Sequence, residues 1–116
     1  MRIAIPIWED KVSPVLDTAF RLLVVEIQDN KEISRFKVYL EEDDIARRCH
    51  RVRGLGVDVL ICGAVSKSFS RMLLSSGVRL ISGRSGSVNS IINAYFIGKL
   101  SDSKFLMPGF KATDEK

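Results

Sequence analysis

The hydrophobic period of this chain changes near residue 41, and that change limits the fold more than any motif in it. Before the change, short β-branched and apolar runs follow one another at residues 3–8, 22–28 and 32–40. They are separated by the loop 10–18, punctuated by Ser13 and Pro14, and by the turn residues Asp29, Asn30 and Lys31. Runs of this length bounded by turn formers predict three strands joined as an antiparallel meander. After the change, helical and extended patterns alternate. Residues 41–53 begin with four acids and end in four arginines and His50, the polarity that complements a helix dipole, with Gly54 or Gly56 as the stop. VDVLIC at 57–62 is an apolar strand, Phe69, Met72 and Leu73 sit at helical spacing within 66–76, and residues 78–81 are a further strand. A last helix is predicted over 87–100 from Val88, Ile91, Ile92, Tyr95 and Phe96, with Gly98 near its end.

The order β-β-β-α-β-α-β-α specifies an α/β domain. Right-handed crossovers make the later strands parallel and adjacent, so the expected product is a five-stranded mixed sheet. Numbered along the chain, its strands run 3-2-1-4-5, with three helices, in a ribonuclease-H-like three-layer domain over residues 1–100. Residues 101–116 read as a flexible tail, with ATDEK disordered. In this topology the C-terminal ends of the first, fourth and fifth strands share one rim. The loops 9–18, 63–66 and 82–87 meet there, where open α/β sheets usually bind ligands.

Composition narrows the class. The 116 residues are 46% hydrophobic and 28% charged, which fits one globular domain and excludes a low-complexity chain. The start MRIAIPIWED lacks the apolar core and cleavage site of a signal peptide, and no run reaches the roughly 20 apolar residues of a membrane span. A cytoplasmic protein is expected, with Cys49 and Cys62 as free thiols rather than a disulfide. The net charge of +4 conceals a division: residues 1–45 hold 6 basic and 10 acidic side chains, whereas residues 46–104 hold 10 basic ones against Asp58 and Asp102. The basic half is suited to an anionic partner.

The rim carries the candidate chemistry. Gly83-Arg84-Ser85-Gly86-Ser87 leads into a helix, so backbone N–H groups, the helix dipole and Arg84 could together bind an anion, or the loop could simply cap the helix. Cys62, beside Gly63 at the end of its strand, is either a metal ligand near the rim or a small buried hydrophobe. Cys49 and His50 diverge on a helix and cannot clasp one ion. Arg47, Arg48, Arg51 and Arg53 read as a solvated or partner-facing helix end, because no aromatic platform or nucleic-acid motif accompanies them. Glu9, Asp10, Asp17, Glu26 and Asp58 are too scattered for a two-metal nuclease, and one histidine with no nucleophile motif argues against a hydrolase. A non-enzymatic protein is the expectation.

MRIAIPIWEDKVSPVLDTAFRLLVVEI, LGVDVLICGAVS and GVRLISGRSGSVNSIINAYFIGKL, in this order and spacing, resemble the dinitrogenase iron-molybdenum cofactor biosynthesis family, the NifX, NifB C-terminal and NafY type of domain. The resemblance spans residues 1–100. It implies a ribonuclease-H-like α/β fold and a carrier or accessory role for an anionic iron-molybdenum or iron-sulfur cluster or its precursor. Cofactor-assembly or acceptor proteins would be its partners. Many members carry a loop like V-S-x-H-F-G-x-A. Here Val12 and Ser13 are kept, but Val15 stands at the histidine position, Leu16 at the aromatic and Asp17 at the glycine. Met107-Pro108-Gly109-Phe110 is similar to a Met-Pro-Gly-Cys ending with Phe110 in place of the cysteine. What the resemblance implies for this chain is a site made of Ser13, Asp17, Gly63, Arg84, Ser85, Gly86 and Ser87, with Cys62 as the remaining metal ligand. The alternative is a regulatory or protein-interaction module of the same fold that has lost cluster binding.

Overall fold

A computed structural model describes residues 1–110 of the chain, so the expectation for ATDEK lies outside the described residues. The isoleucine-rich strand β1 (Arg2–Trp8) is the middle of the sheet. A two-residue turn at Glu9 and Asp10, with Glu9 at φ 56°, returns the chain as the short strand β2 (Lys11–Val12) antiparallel to β1. A 3-10 turn, Leu16–Thr18, then leads into β3 (Arg21–Gln28). Asp29 and Asn30, both at positive φ, reverse the chain into β4 (Lys31–Tyr39). These are the turn residues and the left-handed angles that tight hairpins require.

The second half supplies α1 (Ile45–Gly54), β5 (Val59–Ile61), α2 (Lys67–Ser75), β6 (Arg79–Ile81) and α3 (Val88–Phe96). The sheet order is β4-β3-β1-β5-β6, with β2 paired to β1 off this path. β3 and β4 are antiparallel to their neighbours, whereas β5 is parallel to β1 and β6 parallel to β5. The loop expected over 10–18 therefore contains a strand and a 3-10 turn.

Strand alternation divides the core in two. Ile3, Ile5, Ile7, Leu23, Val25, Val59 and Ile61 face one layer, where Val88, Ile91 and Ile92 of α3 cover them. Ala4, Leu22, Val24, Leu60 and Cys62 face the other, under Cys49 and Val52 of α1 and Phe69 and Leu73 of α2. β4 is the outer strand of the sheet, with Val38 its one buried residue and Arg35 reaching Asn89 of α3 by a hydrogen bond of 3.2 Å.

Two expectations need correction. The helix predicted from residue 41 starts at Ile45, because Asp44 takes the N-cap position and accepts a hydrogen bond from the Arg47 N–H at 2.8 Å. The acids before it lie outside the helix, since a capping side chain fixes the boundary. The supposed tail is folded as far as residue 110. Asp102 caps a 3-10 turn (Ser103–Phe105), Phe105 is buried, and Leu106 bridges to Arg84.

Candidate functional site

The C-terminal ends of β1, β5 and β6 meet at one rim, and the loops that leave them are tied together through their backbones. Ala64 donates its N–H to the Pro14 carbonyl at 2.8 Å, and Leu16 returns one to the Ala64 carbonyl at 2.9 Å. Only glycine fits beside this crossing, because a Cβ on Gly63 would lie 2.6 Å from the Pro14 oxygen and 2.8 Å from that of Ser13. Ser13 is buried and donates its N–H to the Pro6 carbonyl. Asp17 accepts the N–H of Ser66, the N-cap of α2, at 2.9 Å, fixing the 3-10 turn to the helix start. Ser13, Asp17 and Gly63 are thus brought together, as struts of the rim.

The loop 82–87 differs from an open anion nest. Its N–H groups are largely used: Gly83 donates to the Gly63 carbonyl, Arg84 to that of Cys62 and Ser85 to that of Phe105, at 2.8–3.0 Å. The Gly86 carbonyl accepts from Val12, and the Ser87 hydroxyl accepts the Ser90 N–H as the N-cap of α3. The capping reading of Ser87 holds. The docked segment 101–107 takes the Ser85 donor that the sequence alone left available. Arg84 is 1% exposed; its guanidinium donates to the Ser82 carbonyl at 2.7 Å and lies 5.4 Å from the centre of the Phe110 ring. A cation facing an aromatic ring at that distance gains further attraction.

Cys62 is not on the rim surface. Alternation along β5 turns it with Leu60 into the α1/α2 layer, fully buried among Leu16, Phe69 and Leu73. Burial pushes its thiol up to about 12, the Asp17 charge adds to the rise, and Arg84 opposes it. Its complete burial in that layer places this residue as the small hydrophobe of the two readings. Val15 and Phe110, at the positions of a histidine and a cysteine in the resembling family, bring no donor. Glu26 and Asp58 belong to the opposite end of the sheet, where they engage Arg2. Among the described residues, no three His, Cys, Asp or Glu side chains converge to hold a metal ion.

Two features escaped the sequence reading. Arg48 is buried, donating to the carbonyls of Ala19 at 2.7 Å and Glu42 at 2.9 Å, so it clamps the rim loop from below rather than belonging to a solvated helix end. Its signal was its place in the stripe Ile45, Cys49 and Val52, the inward side of α1. The second is the wall made by residues 107–110. Together with 63–65 and 82–83 it bounds an open cleft of about 370 Å³ at the rim.

No protein-family model matches the chain, nor does any curated protein sequence. Solved structures do match. The protein PH0822 is 20% identical, over 85% of this chain and 91% of that one, at a TM-score of 0.81. A candidate dinitrogenase from Methanocaldococcus jannaschii is 21% identical, over 85% and 90%, at 0.71. The apo form of the orange protein from Desulfovibrio gigas is 19% identical, over 84% and 88%, at 0.72. The chain therefore has the mixed α/β fold of these proteins, in agreement with the resemblance carried by its first hundred residues.

Proposed function

We propose that this chain is a non-enzymatic accessory protein of metallocluster-cofactor assembly, and that it works through contacts at the rim cleft without ligating the cluster itself. The observation that carries this reading is the Phe110 ring, set over Gly83 and Arg84 where the resembling family can have a cysteine. An apolar plug and a half-exposed Val15 suit a surface that meets a cofactor-assembly or acceptor protein. The ribonuclease-H-like reading of the sheet and a cytoplasmic setting belong to the same proposal. No described helix is long and apolar enough to cross a membrane.

Anaerobic reconstitution with iron, sulfide and molybdate, followed by metal analysis and by pull-down of cofactor-assembly proteins, tests it. A stable protein complex without bound metal is expected. Stoichiometric metal that disappears in Cys62→Ala would overturn it. A second reading rests on the cleft itself, which is lined by three glycines, Gly63, Gly83 and Gly109, next to the buried Arg84. There an anionic iron-molybdenum or iron-sulfur cluster would be held as cargo, weakly and without thiolate. Metal retained only with homocitrate, and equally by Cys62→Ala, would establish it.

A further inference from the structure

The face opposite α3 has a property that the rim does not explain. Helices α1 and α2 together carry Arg47, Arg48, Arg51, Arg53, Lys67 and Arg71 and no acidic residue. Arg48 is committed inward. Arg47 and Arg51 meet Asp44 and Glu42 in exposed pairs at 3.5 and 3.3 Å. Such solvated pairs offset little of the charge. Among the described residues, Arg53, Lys67, Arg71 and His50 have no acidic partner within 4.0 Å.

Three of these line one groove. Between α1 and α2 runs an open depression of about 450 Å³, walled by His50, Arg53 and Arg71, with Ala46, Cys49 and Met72 also lining it. On α1 the lining residues recur at 46, 49/50 and 53, the spacing of one helical stripe, and small residues there leave room for another element to approach. A shallow strip of Ala46, Cys49 and Met72 with the small Ser75 and Ser76, set between arginines, is suited to an amphipathic helix laid into the groove. The sign of the walls requires that helix to be acidic. Nucleic acid is disfavoured, because the groove lining has no aromatic side chain on which bases could stack.

We infer that the α1/α2 groove is a docking surface for an acidic amphipathic helix of a partner protein. This surface is distinct from the rim cleft, and its failure or success is independent of the reading given to that cleft.

The probe is a labelled helical peptide of about 17 residues with leucine and alanine on one face and glutamate on the other, compared with its glutamine counterpart. Fluorescence anisotropy reads affinity, and amide chemical-shift mapping reads location. The expected result is saturable binding that weakens at least tenfold from about 50 mM to about 300 mM salt, with shifts confined to residues 46–53 and 71–76. Arg53→Ala with Arg71→Ala should raise Kd about tenfold, while Lys99→Ala, on the α3 side, leaves it unchanged. No binding, equal binding of the glutamine peptide, shifts elsewhere, or tighter binding of a single-stranded oligonucleotide would each overturn the inference. So would a salt-sensitive dimer that buries this groove in the protein alone, since the occupant would then be a second copy.

Discussion

The Phe110 ring lies across Gly83, so close that a Cβ on the glycine would overlap it, and the same ring faces the Arg84 guanidinium. Gly83 also has φ +72°, a left-handed angle that L side chains rarely adopt. Gly83→Ala therefore combines backbone strain with displacement of the ring, and should cost about 2–3 kcal/mol. Phe110→Ala should cost about 1 kcal/mol, the size of a partly exposed cation–π contact and some apolar burial. Because the alanine at 83 already expels the ring, the double variant should be less destabilised than the two losses added together. Urea denaturation of all four proteins measures this coupling, and strict additivity would show that the ring and the glycine are independent.

Gly63 makes a different demand. Its backbone angle is ordinary, but the space for a side chain is filled by the carbonyls of Ser13 and Pro14. Gly63→Ala should push the 13–16 segment off β5, break the reciprocal Ala64–Pro14 and Leu16–Ala64 hydrogen bonds, and cost about 1–3 kcal/mol. Hydrogen exchange at the amides of Ala64 and Leu16 is the direct readout. Both should lose protection before the β1 and β3 core does.

Arg48→Ala should be the most damaging of the arginine substitutions on α1. It removes donors from the Ala19 and Glu42 carbonyls and leaves space beneath the loop, whereas Arg47, 78% exposed, has only a solvated pair to lose. Thermal or urea unfolding should show a loss of about 2–4 kcal/mol for Arg48→Ala and within about 0.5 kcal/mol for Arg47→Ala. Equal losses would mean that Arg48 is not the clamp.

What could be read from the sequence was whatever repeats. Short apolar runs and period-3.6 patterns located five of the strands and the three helices, and the loops leaving β1, β5 and β6 do meet at one rim. Single side chains with long-range partners were not readable. Arg48 stands in the inward stripe of α1, but its carbonyl partners exist only once the loop beneath it is in place, and the Ser85 donor looks open until Phe105 is folded onto it. Phe110 was visible as a substituted motif residue, but the glycine under it lies 27 positions earlier in the chain. Cys62 follows from alternation once β5 is known to face α2 with its even-numbered residues, and that depends on which helix crosses which side.

That placement of Cys62 has a consequence in alkali. The thiol is pushed up from 9.0 to about 12, chiefly by burial. In the unfolded chain it ionises near its ordinary value, so above that pH the unfolded state binds fewer protons than the folded one, and folding stability falls. The contribution is constant below about pH 8, declines between about pH 9 and 12, and can reach about 1.4 kcal/mol for each pH unit in that window. Cys62→Ala should lose about 1–2 kcal/mol at neutral pH, from the small cavity it leaves among Leu16, Phe69 and Leu73. Its stability should then fall less steeply than that of the wild type between about pH 9 and 10.5, so that the two curves converge. Urea denaturation at three pH values over that range decides the matter. Parallel curves would mean that the thiol reaches solvent or a compensating charge in the folded protein, and the case for Cys62 as a reactive rim residue would then reopen.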